Sequence, residues 1–456
     1  MIPSMLFASL LLAAAPDSSE GEKPNIVIIF ADDLGYGDLG CYGHPSIRTP
    51  NLDRMAAEGM RFTDFYVAAP VCTPSRAALL TGRYAVRSGM ASERRRVLFP
   101  NSAGGLPDGE ITIAEGLKTR GYATAIVGKW HLGHLPAFLP TKQGFDSYFG
   151  IPYSNDMDRI PGAKQEGPKW SQYNVPLMRN EEVVERPPDQ TTLTRRYTEE
   201  AVKIIKANRE KPFFLYLAHN MPHVPIFASE AFAGKSARGL YGDVVEELDW
   251  SVGQVLAAIR AEGIEKKTLV VFTSDNGPWL IMKDNGGSAG LLQEGKGSTW
   301  EGGMREPGIF WWPGKIAAGT VTREVGCTMD LFTTALKLAG AEIPADRPID
   351  GVDLSPVLFG TGPSLRQTMV YYRDTTPFAI RKGRYKMHVV TRDGYGKNPA
   401  TRQDPPLLFD LGFDPSEKYD VAKTHPDMVA DLQKALADHE AGVKPAEIQL
   451  DKDLPK

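Results

Sequence analysis

The stretch "NIVIIFADD", Asn25–Asp33, decides the fold. Its first seven residues are mostly β-branched or aromatic, the composition of a strand buried on both faces. Two aspartates end it. The same design recurs three times. "YATAIVGKWH" closes on Lys129 and His131, "PFFLYLAHNMPH" on His219 and His223, and "TLVVFTSDN" on Asp275 and Asn276. Between these runs lie segments with helical spacing, at Asn51–Glu58, Ile113–Thr119, Thr198–Asn208 and Gly242–Ala261. Strands alternating with helices predict an α/β fold, a large mostly parallel sheet flanked by helices. In such sheets the binding crevice lies beyond the carboxyl ends of the strands. Four polar clusters far apart in sequence are therefore expected in one crevice.

Past about Gly360 the chain changes character. "MVYYRDTTPFAIRKGRYKMHVV" reads as antiparallel strands turning at Lys382-Gly383, "PLLFDLGFDPSE" follows, and a helix is expected over Met428–Ala441. The 456 residues exceed what a single core supports. They divide into a leader at 1–23, a large unit at 24–360 and a smaller C-terminal α+β unit at 361–456. The polar, Pro-rich stretch Asp156–Asp189 reads as a long loop over the crevice. Met5–Ala15, "MLFASLLLAAA", has the apolar run and small-residue end of a secretory signal, so a secreted or periplasmic protein is expected. The net charge of −4 and the lack of a polybasic block give no sign of a nucleic-acid partner, and no run is long enough to span a membrane. Three cysteines make no disulfide framework; Cys41 and Cys327 could pair in an oxidising compartment, but they read first as buried, unpaired and structural. His44 and Trp130 also read as structural. The sequence marks no clear aromatic platform for stacking a sugar.

The crevice residues carry the chemistry. Asp32, Asp33, Asp275 and Asn276 offer only oxygen ligands on adjacent strand ends, which suits a hard divalent cation, calcium before magnesium. "VCTPSRAALLTGR", Val71–Arg83, reads as a loop entering a helix, with Thr73 as N-cap, Pro74 in the first turn and Gly82 as the stop. Cys72 then sits at the positive end of a helix, and Arg76 adds a cationic fork one turn on, an arrangement suited to sulfate or phosphate. The thiol itself is awkward there. A soft thiolate is a poor ligand for a hard cation, and only three residues separate Cys72 from Arg76, too few for the wide anion loop of a cysteine phosphatase. One resolution is that residue 72 does not stay a cysteine.

"CTPSRAALLTGR" resembles the signature of the type I sulfatases, whose motif cysteine is oxidised to formylglycine (3-oxoalanine), an aldehyde hydrated at rest. The likeness extends through "NIVIIFADDLGYGDLGCYGHPSIRTPNLDRMAAEGMRFTDFY", "GYATAIVGKWHLG", "TSDNGP", "GKGSTWEGGMREPGIFWWPG" and "LLFDLGFDPSE". It implies an alkaline-phosphatase-like fold, sulfate-ester hydrolysis on aryl or carbohydrate sulfates, and a maturation enzyme that makes the formylglycine. It also implies one calcium ion held by Asp32, Asp33, Asp275 and Asn276, with the modified Cys72 completing the sphere. One hydroxyl of the hydrate attacks sulfur, with Arg76 holding that side chain. Lys129 and Lys296 grip the sulfate, His223 protonates the leaving oxygen, His131 orients the hydrate, and Ser154 hydrogen-bonds within the site. From the residues alone, Lys296 in "GKG" also reads as a solvated loop lysine, Ser154 as a turn cap, and His219 competes with His223. The alternative activity is phosphomonoester or phosphodiester hydrolysis within the same superfamily. A non-catalytic carbohydrate-binding relative is a third reading, against which the intact polar clusters stand.

Overall fold

The computed structural model describes residues 23–164, 169–396 and 398–455. The expected leader at Met5–Ala15 lies outside the described residues. The strands of the large sheet, in chain order, are β1 (Asn25–Ala31), β2 (Met60–Tyr66), β3 (Ala123–Gly128), β4 (Ser147–Gly150), β5 (Leu177–Arg179), β6 (Glu182–Glu185), β7 (Phe213–Ala218), β8 (Thr268–Ser274), β9 (Arg305–Trp311), β10 (Thr320–Thr322) and β11 (Gly326–Cys327). They lie side by side in the order β10-β2-β9-β8-β1-β7-β3-β4-β5-β6, with β11 also on β2. The four apolar runs thus form four adjacent strands, β8-β1-β7-β3, all parallel.

Alternate residues of β1 serve opposite cores. Ile26, Ile28 and Phe30 pack into one, and Val27, Ile29 and Ala31 into the other. Burial on both faces explains why these strands read as continuous apolar runs without alternation. The register then sets the chemistry. Ala31 pairs with Ser274, so Asp32 and Asp275 leave the sheet side by side; Gly128 pairs with Ala218, so Lys129 and His219 do too. Gly128 has a φ of +113°, and a Cβ there would lie 1.8 Å from Ala218 O. Only glycine permits that turn at the foot of Lys129.

The expectation of a mostly parallel sheet needs adjustment at its flanks. β9 runs antiparallel between β8 and β2, and β4-β5-β6 is antiparallel. The latter corrects the reading of 156–189 as one long loop, because its second half is a hairpin turning at Asn180 that widens the sheet. Val183 and Val184 are half exposed on the outer strand, so the edge carries no buried pattern for a sequence reading to detect. The helices begin close to expectation, at Pro50–Glu58, Ile113–Lys118 and Leu240–Ala261. The exception is Leu193–Ala207, which starts five residues before the expected Thr198. Among described residues no helix is long and apolar enough to cross a membrane.

A second, antiparallel sheet comprises β12 (Thr368–Arg373), β13 (Thr376–Lys382), β14 (Tyr385–Thr391) and β15 (Thr401–Asp410), with the predicted turn at Gly383. The helix Pro426–Gly442 covers it through Leu432 and Leu436. Met369, Tyr371 and Met387 of this sheet share a core with Tyr66, Ala78 and Met304. Beside that core, Lys386 is fully buried, its Nζ 3.0 Å from Glu301 Oε1 and 2.9 Å from Glu417 Oε1. All three cysteines are free thiols, and Cys41 is half-buried where a buried position was expected. Trp130 is structural as read, its indole N–H donating to Phe138 O, and the His44 ring caps the turn at Ser46 and Ile47.

Candidate active site

The helix carrying the cysteine motif spans Cys72–Thr81 and ends at Gly82 in the left-handed region. It starts two residues earlier than the Thr73 cap requires, which corrects that expectation. Val71 is the capping position and offers no side-chain bond. Thr73 instead ties two segments together, its hydroxyl donating to His131 O and accepting from Leu98 N. Cys72 is thereby the first residue of the helix, 2 % exposed.

Every residue singled out for the site arrives at the same place. Arg76, fully buried, donates from Nε and Nη2 to Asp275 Oδ2 at 3.1 and 2.8 Å, and from Nη1 to Lys129 O. Lys129 Nζ lies 2.6 Å from Asp32 Oδ2 and 3.3 Å from Ser154 Oγ. Lys296 Nζ lies 2.7 Å from Asp33 Oδ1, and His223 Nε2 lies 3.6 Å from Asp33 Oδ2. Asn276 donates its amide to Asp33 Oδ1, and the Asp33 backbone N–H donates to Asp275 Oδ1. That last bond is made possible by a positive φ of 64° at Asp33, which folds the chain back across the neighbouring strand end. His131 also has a positive φ; its Nε2 meets Leu98 O, and its buried Nδ1 has no partner.

Two ambiguities left by the sequence are resolved in position. Lys296 is 5 % exposed and paired, so it is no solvated loop lysine. His219 turns away into the helical layer, against Ser251 Oγ and the Tyr197 ring, and leaves the crevice to His223.

The electrostatics is that of a closed, charged chamber. Burial works to raise the Asp32 pKa, but Lys129, His223 and Arg76 outweigh it and hold the carboxyl well below its usual range. Its neighbour Asp275 goes the other way, pushed up to about 7 by burial and by the charge on Asp32. Burial, then Lys129, holds His131 far below the ordinary imidazole value, and burial with Lys296 lowers His223. Burial pushes the Cys72 thiol up to about 11, against the pull of Lys129 and Lys296.

The chamber fits a hard cation. Asp32 Oδ1 and Asn276 Oδ1 are buried oxygens with no hydrogen-bond partner. Asp32, Asp275 and Cys72 offer one atom each within 4.8 Å of one another. Carboxylate and amide oxygens are the donors calcium prefers, and a bound cation would satisfy the two orphaned atoms.

Three neighbours of the chamber are not marked by the sequence. Trp279 packs tilted against His223 with ring centroids 5.4 Å apart, Tyr395 packs tilted against Trp279 at 5.0 Å, and the Arg96 guanidinium lies 4.6 Å from the Tyr395 ring centre. The sequence marks no aromatic cluster here, and the structure brings two aromatic rings together beside His223. Tyr395 comes from the second sheet's β14–β15 connection, whose approach to residue 296 no local pattern announces.

A sheet that gathers acids, cations and a helix start at its carboxyl edge, with an antiparallel sheet docked alongside, defines an alkaline-phosphatase-like hydrolase of anionic esters. Residues 24–341 match the Sulfatase family model, and residues 364–454 match the model of the C-terminal region of aryl-sulfatase. The chain belongs to the sulfatase family and is a sulfuric ester hydrolase. It is 47 % identical to human arylsulfatase A over 91 % of this chain and 86 % of that protein. With N-acetylgalactosamine-6-sulfatase of Mus musculus it shares 43 % identity, covering 97 % and 90 %. The crystal structure of PsFucS1 sulfatase from Pseudoalteromonas sp. superimposes with a TM-score of 0.83 at 30 % identity, covering 93 % of this chain and 91 % of that one.

Proposed function

We propose that the protein hydrolyses aryl or carbohydrate sulfates with formylglycine made from Cys72 and with one calcium ion. The observation that carries this reading is the placement of residue 72, buried at the first position of its helix, with its sulfur and one carboxylate oxygen each of Asp32 and Asp275 all within 4.8 Å of one another. Asp32, Asp33, Asp275 and Asn276 would hold the cation, with residue 72 beside them. When bound, the cation supplies positive charge that acidifies an adjacent hydroxyl. The oxidised side chain at 72, hydrated, supplies that hydroxyl as a nucleophile toward sulfur. Arg76, fixed on Asp275 and Lys129 O, holds the start of the helix in place. Lys129 and Lys296 bind the sulfate oxygens and stabilise charge that grows in the transition state. His223 delivers a proton to the departing oxygen, and neutral His131 accepts one from residue 72 as sulfate leaves. Ser154 orients the Lys129 ammonium. Residues 24–360 form the catalytic unit and 361–456 the smaller unit, and a leader at 1–23 exports the enzyme after or during oxidation by a maturation enzyme. The test is the mass of the tryptic peptide spanning residue 72 in active protein, with hydrazide capture of a carbonyl. Active protein whose peptide carries only a thiol overturns the reading.

Two further outcomes are expected. Chelation of calcium should remove turnover and calcium should restore it, while Asp32→Ala should prevent restoration, because the remaining oxygens cannot fill the sphere. Stoichiometric zinc in metal analysis of the active enzyme would overturn the calcium assignment. Lys129→Ala and Lys296→Ala should each lower kcat/KM by about 10²–10³-fold, the order lost with one transition-state donor. Wild-type turnover in Lys296→Ala would return that residue to a purely structural place.

A further inference from the structure

We propose that Trp279, Tyr395 and Arg96, backed by Arg373 and Arg392, form the subsite for the leaving group and select a ring that carries a second anionic substituent. This deepens the sulfatase reading and rests on it. The substrate class is then a polyanionic sulfated glycan.

The argument starts from His223. The histidine that protonates the leaving oxygen packs its ring on Trp279. Lys296 Nζ lies 4.4 Å from the centre of the same indole. A departing ring must therefore pass beside Trp279 when its sulfate is held by Lys296. The indole N–H of Trp279 is buried and has no partner, leaving a donor for a ring hydroxyl or ring oxygen. Tyr395 extends the wall, and an aromatic face at this angle suits the apolar face of a sugar.

The cations stand behind this wall. Arg96 donates to Gly394 O, and Arg373 donates to Asp393 O and Gly394 O. Those bonds fix the two guanidiniums by neutral carbonyls, and the half-buried Asp374 carboxylate, within electrostatic reach of Arg96, Arg373 and Arg392, offsets part of their charge. Arg373 is 2 % exposed, and its Nε makes no hydrogen bond; Asp374 approaches only to 3.8 Å. Arg392 Nε is also buried without a partner. Among the described residues neither Arg96 nor Arg392 forms an ion pair. The other carboxylates nearby are engaged: Glu93 accepts from Thr375 and Thr376, and Glu294 accepts from Gly394 N. The cluster is seated on the catalytic loop itself. A Cβ at Gly297 would meet Arg96 Nη1 and Tyr395 Cε2, each at 3.1 Å. Three guanidiniums gathered on one half-buried aspartate, two of them held by backbone carbonyls, leave positive charge beside an anion-cleaving site for a further anion.

The test compares kcat/KM on four probes: 4-nitrophenyl sulfate, a monosulfated N-acetylhexosamine, the same sugar with a second sulfate, and the monosulfated sugar linked to a uronate. Wild type should favour the doubly charged probes over the monosulfated sugar by at least about tenfold, the order of one charge-assisted contact. Added salt should shrink the ratio. Arg96→Gln and Arg392→Gln, checked for folding by thermal melting, should bring it toward one, and the two doubly charged arms tell a sulfate from a carboxylate preference. A wild-type ratio of one, or a ratio that neither variant nor salt moves, overturns the subsite. If 4-nitrophenyl sulfate is turned over in that case, the sulfatase reading stands and only the subsite falls. If no sulfate ester is turned over and 4-nitrophenyl phosphate is, the activity itself was misread.

Discussion

Protein carrying Cys72→Ala is expected to fold and to lose sulfate-ester hydrolysis by about 10⁵-fold or more, the order seen when a hydrolase loses its nucleophile. The structural cost should be small. The thiol makes no hydrogen bond that its loss would orphan, and truncation removes one sulfur atom, worth about 1 kcal/mol of burial. Calcium binding should survive, since Asp32, Asp33, Asp275 and Asn276 remain. The measurement pairs a sulfatase assay with a calcium titration on the same preparation. The two readouts must separate. A variant that keeps more than about 1 % of wild-type turnover would show that residue 72 is not the attacking group. One that loses calcium along with turnover would show the acidic cradle to be insufficient alone.

The second large effect is on stability. Lys386→Met should destabilise the protein by about 3–5 kcal/mol, because it leaves two buried carboxylates without their shared cation. Glu301 accepts from Tyr66 and Tyr371 hydroxyls, and Glu417 accepts from the Glu301 backbone N–H and meets His388 Nε2 at 2.7 Å. Methionine fills the volume but supplies no charge. Burial works to raise the Glu301 pKa, and Lys386, then Arg305, overcome it and hold the carboxyl at about 2, below its ordinary 4.5. The sign follows directly. A depressed carboxyl pKa stabilises the fold above 4.5, and this contribution drains away as pH falls from 4.5 to about 2. Acid unfolding of wild type should therefore draw on this window, and in Lys386→Met the midpoint should move to higher pH. Equilibrium denaturation at pH 7 and an acid titration followed by tryptophan fluorescence check both. An unchanged acid midpoint would remove Glu301 from the account.

The centre of the fold was legible because four buried strands leave a plain compositional trace, and because parallel sheets put their strand ends to use at one edge. Pairing of Ala31 with Ser274 then needed no separate signal to bring Asp32 beside Asp275. The flanks were less legible. The strand at Glu182–Glu185 sits on an edge where side chains face water, and β9 is recognisable as antiparallel only once its neighbours are known. Within the site, the acids, Lys129 and Arg76 follow from local patterns. Lys296 and the choice of His223 over His219 rested on family likeness, since burial of a loop lysine and the rotation of a histidine are tertiary facts. Thr73 was misassigned because a threonine before a proline has the look of a cap, while its hydroxyl is committed to His131 and Leu98. The aromatic wall was invisible for a related reason: its two rings are more than a hundred residues apart and lie in loops that follow strands of different sheets.

Cys72, at 2 % exposure and roofed by the segments that Thr73 pins together, is out of reach of any other enzyme once the chain has closed. Under the proposed chemistry, oxidation of that residue is thus in a race with folding. Each molecule has one chance, and the result is sealed inside. A preparation is then a frozen mixture of competent and dead molecules of the same shape, indistinguishable by melting or by gel filtration. Its specific activity records how the race was run in the cell that made it. Slowing translation or folding in the producing host should raise yield of active enzyme more than any treatment of the finished protein.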